Sequence, residues 1–227
     1  MAFLTKIGQV LKTDISKESL FGRKEEEAVQ YSLIDDLKKR RSVYELGRKV
    51  YFSQNYLTQL IKEAIRCCPS ALNSQSVRVV ILMEDTHYQF WQNVKTVQKQ
   101  YVPEHVFEGA VVKIDRCADA FGTVLFFEDQ QVIQSLQKQR PLQADEFPLW
   151  SEQTSGMAQF AVWAALSSAG LGAALHHYNP AINPMVTEQF NLPQSWVLKA
   201  QLAFGSINQA ASEKIIEDDT VLFRVFA

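Results

Sequence analysis

Apolar positions along this chain fall into two alternating rhythms, helical three-and-four spacing and short unbroken runs, and the alternation predicts the elements. Between Ala28 and Arg41, Val29, Leu33, Ile34 and Leu37 recur at helical spacing. That segment ends in a basic turn suited to a helix C-terminus. Ser53 stands just before Leu57, Leu60, Ile61, Ala64 and Ile65, which marks it as the N-cap of a second helix stopped by Cys67-Cys68-Pro69. Val77 to Met83, seven residues of which six are apolar, reads as the first strand. Glu84-Asp85-Thr86 then leads into an amphipathic helix carrying Phe90, Trp91, Val94 and Val97.

Residues 111–120 fit neither rhythm cleanly and stay unassigned. Gly122 to Phe127 reads as a fully buried strand closed by Glu128-Asp129, with a helix after it from Gln130 to Gln139. An alanine-rich helix over Glu152–Ala169 stops at Gly170-Leu171-Gly172, and its apolar character suits a core position at a subunit contact. A third strand is expected at Ala173–His177, a short helix at Val186–Phe190 and a fourth strand at Val197–Phe204. The tail Val221–Phe226 has the makings of an edge strand. Helices alternating with about four strands predict a layered domain with a sheet between helices. Residues 1–29 stand apart: scattered apolar residues among lysines, then Arg23-Lys24-Glu25-Glu26-Glu27. They read as an N-terminal helical extension with a solvated hinge, or as a regulatory or partner-binding arm.

Composition narrows the function. Of the 227 residues 47% are apolar and 21% charged, which is globular rather than disordered, and the net charge of −2 disfavours a general nucleic-acid or anionic-membrane surface. No stretch is convincing as a membrane span of about 20 apolar residues or as a secretory signal. Three cysteines, two of them adjacent, form no disulfide framework and point to a reducing cytoplasm.

The candidate chemistry gathers around one loop. Cys68-Pro69-Ser70-Ala71-Leu72-Asn73-Ser74-Gln75-Ser76 presents five short polar side chains at the mouth of the first strand. Asn73 and Gln75 each offer a donor and an acceptor, matching the edge of a pyrimidine-type ring, and Ser70 and Ser76 add hydroxyls; an ordinary Asx-rich turn is the plainer alternative. Arg78 follows, where a cation can stabilise negative charge on a reduced ring. Arg40, Arg41 and Ser42 can grip a terminal phosphate through paired guanidinium forks, or simply offset a helix dipole. Together they point to a phosphate-tailed ring system, with a flavin as first choice. His176 and His177 make a poor metal site, since neighbours on a strand face opposite sides and no Cys-x-x-Cys or His-x-x-x-His spacing exists. Gly-x-Ser-x-Gly is absent, and no Gly-x-Gly-x-x-Gly follows a strand. Phe147, Trp150, Phe160 and Trp163 read as core or interface aromatics.

Several motifs in fixed order carry a resemblance: residues 39–47 (KRRSVYELG), 68–79 (CPSALNSQSVRV), 122–129 (GTVLFFED), 147–153 (FPLWSEQ), 170–180 (GLGAALHHYNP) and 200–205 (AQLAFG). The chain resembles the FMN-dependent nitroreductase family, in its compact branch of fatty-acid-repression-mutant proteins and copper-induced nitroreductases, from about Leu33 onward. The resemblance implies a nitroreductase-like FMN-binding domain over residues 30–227. Its fold would be α+β, a central mixed, mainly antiparallel sheet of four to five strands flanked by helices, in a homodimer with FMN at the subunit interface. It also implies two-electron ping-pong chemistry, with NADH or NADPH as reductant and a nitroaromatic or quinone as acceptor, in a stress-response setting. By the same resemblance Arg40, Arg41, Ser42 and Lys214 hold the phosphate and ribityl end, Ser70, Asn73, Gln75 and Ser76 line the ring or ribityl chain, and Arg78 lies near the pyrimidine edge. The backbone at His177 and Tyr178 addresses the flavin N5.

Two departures stand out. Ile216 replaces the second cation of a C-terminal Lys-x-Arg pair, and His176 replaces a glutamine. Because the flavin carries the chemistry, no protein nucleophile is expected. A flavin-binding regulatory protein with little turnover is one alternative, and reductive dehalogenation or flavin fragmentation is another.

Overall fold

The computed structural model describes residues 32–226; the segment read as an N-terminal extension lies outside them. The expected first helix is seen as α1 (Ser32–Lys39). A two-residue strand, β1 (Leu46–Gly47), precedes α2 (Gln54–Arg66), whose N-cap is Ser53, its side chain accepting the Tyr56 N–H. After the polar loop come β2 (Val77–Met83), α3 (Glu84–Tyr101), α4 (Glu104–Ala118) and β3 (Gly122–Asp129). They are followed by α5 (Gln130–Gln139), α6 (Phe147–Ser168), β4 (Gly172–His176), α7 (Asn183–Gln189), β5 (Trp196–Ile207) and a single turn, α8 (Asp219–Leu222).

The strands form one five-stranded sheet in the order β1-β5-β3-β2, with β4 on the other edge of β5 from β3. Every ladder between these strands is antiparallel, and among the described residues the one parallel element is an isolated bridge between Ser42 and Ala173. β3 runs through the centre and is buried along its whole length. Successive residues there face opposite sides, so the sheet has two cores. Leu125 and Phe127 pack with Phe90, Trp91 and Ile114 of α3 and α4. Val124 and Phe126 pack with Leu57, Ile61, Val162 and Leu166 of α2 and α6. The domain is thus a helix–sheet–helix sandwich, an α+β fold.

Three expectations are corrected. Most of the unassigned stretch 111–120 falls in α4, whose weakly helix-forming valines are carried by the packing of Ile114, Cys117 and Ala118 on α3. The tail is not an edge strand: the Asp218 side chain accepts the Thr220 N–H and turns the chain into α8, and Phe223, Val225 and Phe226 beyond it are exposed, with no strand partner among the described residues. The long helix starts at Phe147 rather than Glu152, because Pro148 suits a first helical turn and Phe147 is buried there.

Candidate functional site

Two cavities adjoin where the segment after α1 crosses the β4–β5 edge. Val43 donates its N–H to the Ala173 carbonyl (3.0 Å) and Asn208 donates to the Glu45 carbonyl (2.9 Å), so residues 40–47 and 206–214 are strapped beside one another. Glycine is required at the crossing: a Cβ on Gly205 would lie 2.3 Å from the Gly47 carbonyl oxygen. Between the straps opens a cavity of about 500 Å³ lined by Arg40, Arg41, Ser42, Glu45, Arg116 and Lys214 among others. Four cationic side chains face one carboxylate there, a net charge of +3. Arg40 is held over the Trp163 ring at 4.5 Å, and Arg41 donates one N–H to the Ser212 carbonyl at 2.7 Å, leaving most of its donors to the cavity. Arg116 is poised by an ion pair with Glu45 at 3.1 Å.

Tyr44 and Arg116 are shared with a second cavity of about 370 Å³, whose floor is Leu46, Cys117, Ala174, His176 and Ala203. The Cys117 Sγ lies 3.3 Å from His176 Nε2. Burial pushes the His176 pKa down to about 4 and the Cys117 thiol up to about 12, so both are neutral at physiological pH. His176 is boxed by Tyr44 and Trp91 edge-on and by Tyr178 nearly parallel. A hollow of net charge +3 adjoining a smaller one with aromatic and aliphatic walls, edged by Lys113 and Arg116, suits a ligand with an anionic tail and a flat ring.

The polar loop lies elsewhere. Ser70, Asn73, Gln75 and Arg78 line a separate cavity of about 410 Å³ with Cys68 and Thr154, and this cavity shares no lining residue with the cation-rich one. Leu72, Asn73 and Gln75 all have left-handed backbone (φ 53°, 53° and 47°), a cluster of strain that the loop's hydrogen bonds must hold. Ser70 Oγ accepts the Gln75 N–H at 3.0 Å. Ser76, fully buried, donates instead to Glu128 at 2.6 Å, as Ser151 of α6 does at 2.5 Å. Burial raises the Glu128 pKa, and its other oxygen has no partner.

The remaining sequence-derived residues divide. Lys214 joins Arg40, Arg41 and Ser42; Ile216 is exposed and does not line that cavity. Arg78 is ion-paired to Asp129 at 3.0 Å and donates to the Gln75 carbonyl at 2.7 Å. Tyr178 packs on Trp91 and gives its N–H to Gln201 Oε1 at 2.8 Å, while His177 is exposed beside it. Arg116, Tyr44 and Cys117 escaped the sequence reading. Arg116 and Cys117 sit in the stretch left unassigned, and read as a helix that stretch would have set Lys113, Arg116 and Cys117 on one face. Among the described residues no cluster of three metal-ligating side chains forms, and no helix is long and apolar enough to cross a membrane.

Sheet, straps and adjoining cavities define an α+β domain with a candidate ligand site, and comparison with known proteins makes the assignment specific. The model of the nitroreductase family matches residues 37–206. HBN1 of Saccharomyces cerevisiae is 34% identical over 188 residues, 81% of this chain and 93% of that protein. The nitroreductase CinD from Lactococcus lactis, solved in complex with chloramphenicol, is 45% identical with a TM-score of 0.80, covering 86% of this chain and all of that one. It has also been solved with 4-nitrophenol. A structure from Desulfovibrio desulfuricans in complex with FMN shares the fold at 19% identity and a TM-score of 0.62, covering 86% of this chain and 98% of that one. This chain belongs to the nitroreductase family and is an oxidoreductase of that type.

Proposed function

We propose that the chain is an NAD(P)H-dependent FMN oxidoreductase that reduces nitroaromatics or quinones in a two-electron ping-pong cycle as a homodimer. The observation that carries this reading is the shared wall of Tyr44 and Arg116 between a cavity of net charge +3 and a smaller one with aromatic and aliphatic walls edged by Lys113. Their volumes, about 500 and 370 Å³, fall within the roughly 300–1,000 Å³ of cofactor sites. The donor set fits FMN: guanidinium forks and an ammonium for a dianionic phosphate, and aromatic and aliphatic walls for a ring. When bound, FMN supplies the hydride chemistry, taking two electrons from NADH or NADPH and giving them to the acceptor.

The protein's own work is binding and orientation. Arg40, Arg41, Ser42 and Lys214 would hold the phosphate, and Arg116 takes up the duty that Ile216 cannot perform. Ser70, Asn73 and Gln75 would reach the ring or ribityl chain from a second copy of the chain, which accounts for their separate cavity. Exposed Leu72, Leu149, Met157 and Phe160, on that loop and on α6, offer an apolar face for such pairing. Ser76 serves the loop through Glu128, the backbone at His177 would lie beside the ring while the Tyr178 N–H is given to Gln201, and Arg78 acts as a charge already balanced by Asp129. A nitroaromatic acceptor is supported by the relative solved with chloramphenicol and 4-nitrophenol.

Purified protein should be yellow, release FMN on heating, run at twice the chain mass in light scattering and oxidise NADH or NADPH when 4-nitroquinoline N-oxide or a quinone is added. Colourless monomer that ignores added FMN would overturn the reading. A yellow dimer with negligible turnover would leave a flavin-binding regulator.

A further inference from the structure

The second cavity contains a pairing that the binding of a phosphate-tailed ring does not by itself require. His176 is clamped on three sides by Tyr44, Trp91 and Tyr178, with its Nε2 facing the Cys117 thiol at 3.3 Å. Both side chains line the cavity. The titratable and charged groups facing the imidazole are few: Cys117, Lys113 and Arg116 on α4, Tyr44 on the strap, and His177 and Tyr178 beside it at the end of β4. None is a carboxylate, so nothing there favours an imidazolium, and burial among aromatics opposes it.

The proton's place on the ring follows from the partner. A thiol that keeps its proton is a weak donor and a very poor acceptor, whereas an unprotonated imidazole nitrogen is a good acceptor. Cys117 S–H therefore donates to Nε2, and the imidazole proton resides on Nδ1. In water the other tautomer prevails for a free histidine, so the thiol selects this one.

Resting on the flavin reading above, we propose that His176 is a specificity-determining residue of the ring cavity. It acts as a neutral donor through Nδ1–H to an acceptor atom of a flat ring ligand, and Cys117 is the positioning residue that fixes its tautomer. The class of ligand it favours is a neutral or anionic heteroaromatic with a ring oxygen or unprotonated ring nitrogen, and it discriminates against the same ring lacking that acceptor. Arg116 and Lys113 at the cavity wall add charge without this directionality, because both are long flexible cations.

The test uses full-length protein freed of flavin, with riboflavin as the probe so that the phosphate cavity takes no part. One arm reads the tautomer directly by long-range nitrogen–proton correlation of the His176 ring. Wild type should show an unprotonated Nε2 from neutral to mildly acidic pH, and Cys117→Ala should shift the proton toward Nε2. The second arm measures riboflavin affinity. His176→Asn, whose amide N–H falls near the position of Nδ1–H, should bind within about twofold of wild type. His176→Gln and Cys117→Ala should bind roughly three- to tenfold more weakly, the range of one neutral hydrogen bond. Cys117→Ser, whose hydroxyl both donates and accepts, should fall between wild type and Cys117→Ala. A wild-type proton on Nε2, or equal riboflavin affinity in wild type, His176→Gln and Cys117→Ala, would overturn the proposal. Wild type that binds neither FMN nor riboflavin would overturn the flavin reading instead, and the nitrogen spectrum would then report on the Cys117–His176 pairing alone.

Discussion

Replacing Arg41 by Met keeps most of the side chain's bulk while deleting its charge and its five donors, so it isolates what the cation-rich cavity contributes to holding a phosphate. One Arg41 N–H is already committed to the Ser212 carbonyl at 2.7 Å, and the remaining fork faces the cavity. A charge-assisted hydrogen bond contributes about 1.5–3 kcal/mol, and an opening to solvent draws the value toward the lower end. Arg40, Arg116 and Lys214 stay in place, so the site falls from net +3 to +2 rather than collapsing. The expected loss is about 1.5 kcal/mol, a little over tenfold in Kd for FMN. Arg41→Lys keeps the point charge but not the fork and should lose roughly threefold.

Riboflavin is the control, since it carries the ring without the phosphate. Titration by quenching of flavin fluorescence, repeated at rising salt, should show FMN binding weakened in Arg41→Met and less salt-sensitive, with riboflavin Kd within about twofold of wild type. If riboflavin weakens as much as FMN, Arg41 acts by pinning the 209–214 strap and the electrostatic argument is wrong. If neither changes, the cavity does not receive the phosphate.

Three further outcomes follow from the buried polar groups and the strap. Thr123 Oγ1 accepts the Trp91 Nε1–H at 2.9 Å and meets His87 Nδ1 at 2.8 Å, so Thr123→Val orphans two buried groups. It should cost about 2–4 kcal/mol and lower Tm by roughly 4–16 °C in a melting scan, and a shift under about 2 °C would contradict the assignment. Gly205→Ala forces a Cβ against the Gly47 carbonyl and should cost about 1–3 kcal/mol in urea unfolding while weakening FMN binding, because the β1–β5 crossing shapes the cavity; wild-type values for both would refute this. Acid stability carries opposing signs: His87 and His176, both held down to about 4 by burial, stay neutral in the fold while the unfolded chain protonates them near 6.5, so stability falls as pH drops from about 6.5 to 4. Glu128, raised by burial, opposes that slope above about 4.5, so Glu128→Gln should steepen the rise in stability between about pH 4.5 and 6.5, as read by urea midpoints across pH; a shallower rise would be the contrary result.

Sequence patterning revealed the helices and strands with a single strong rhythm, and missed where local preference and tertiary context disagree. Ser53 and the apolar runs of β2 and β3 could be read because capping chemistry and unbroken burial leave a local trace. α4 was opaque because its valines are poor helix formers and its register is set by α3. β1 is too short to leave a pattern, since two residues suffice once Gly47 and Gly205 let the backbones meet. The site was readable where residues cluster in sequence, as in Arg40-Arg41-Ser42 and the 68–76 loop. Arg116 and Cys117 reach their cavities from about 75 residues away, and only the α4 packing brings them there.

The α4 residues of the candidate site and the polar loop belong to opposite sides of the sheet. Arg116 and Cys117 ride on α4, which packs on the Leu125–Phe127 face. The polar loop follows α2 and borders α6, both packed on the Val124–Phe126 face. Rotamer changes in a close-packed sandwich cannot carry side chains from one face of a sheet to the other, because β3 between them is buried along its full length. A second copy bringing its own loop to the strap would join the two cavities, which share no lining residue within one chain. The left-handed residues at 72, 73 and 75 fit that arrangement: strain concentrated in a loop anchored beneath by Glu128 preorganises its amides for a surface outside its own chain. On the function proposed above, pairing of two chains would complete each cofactor pocket.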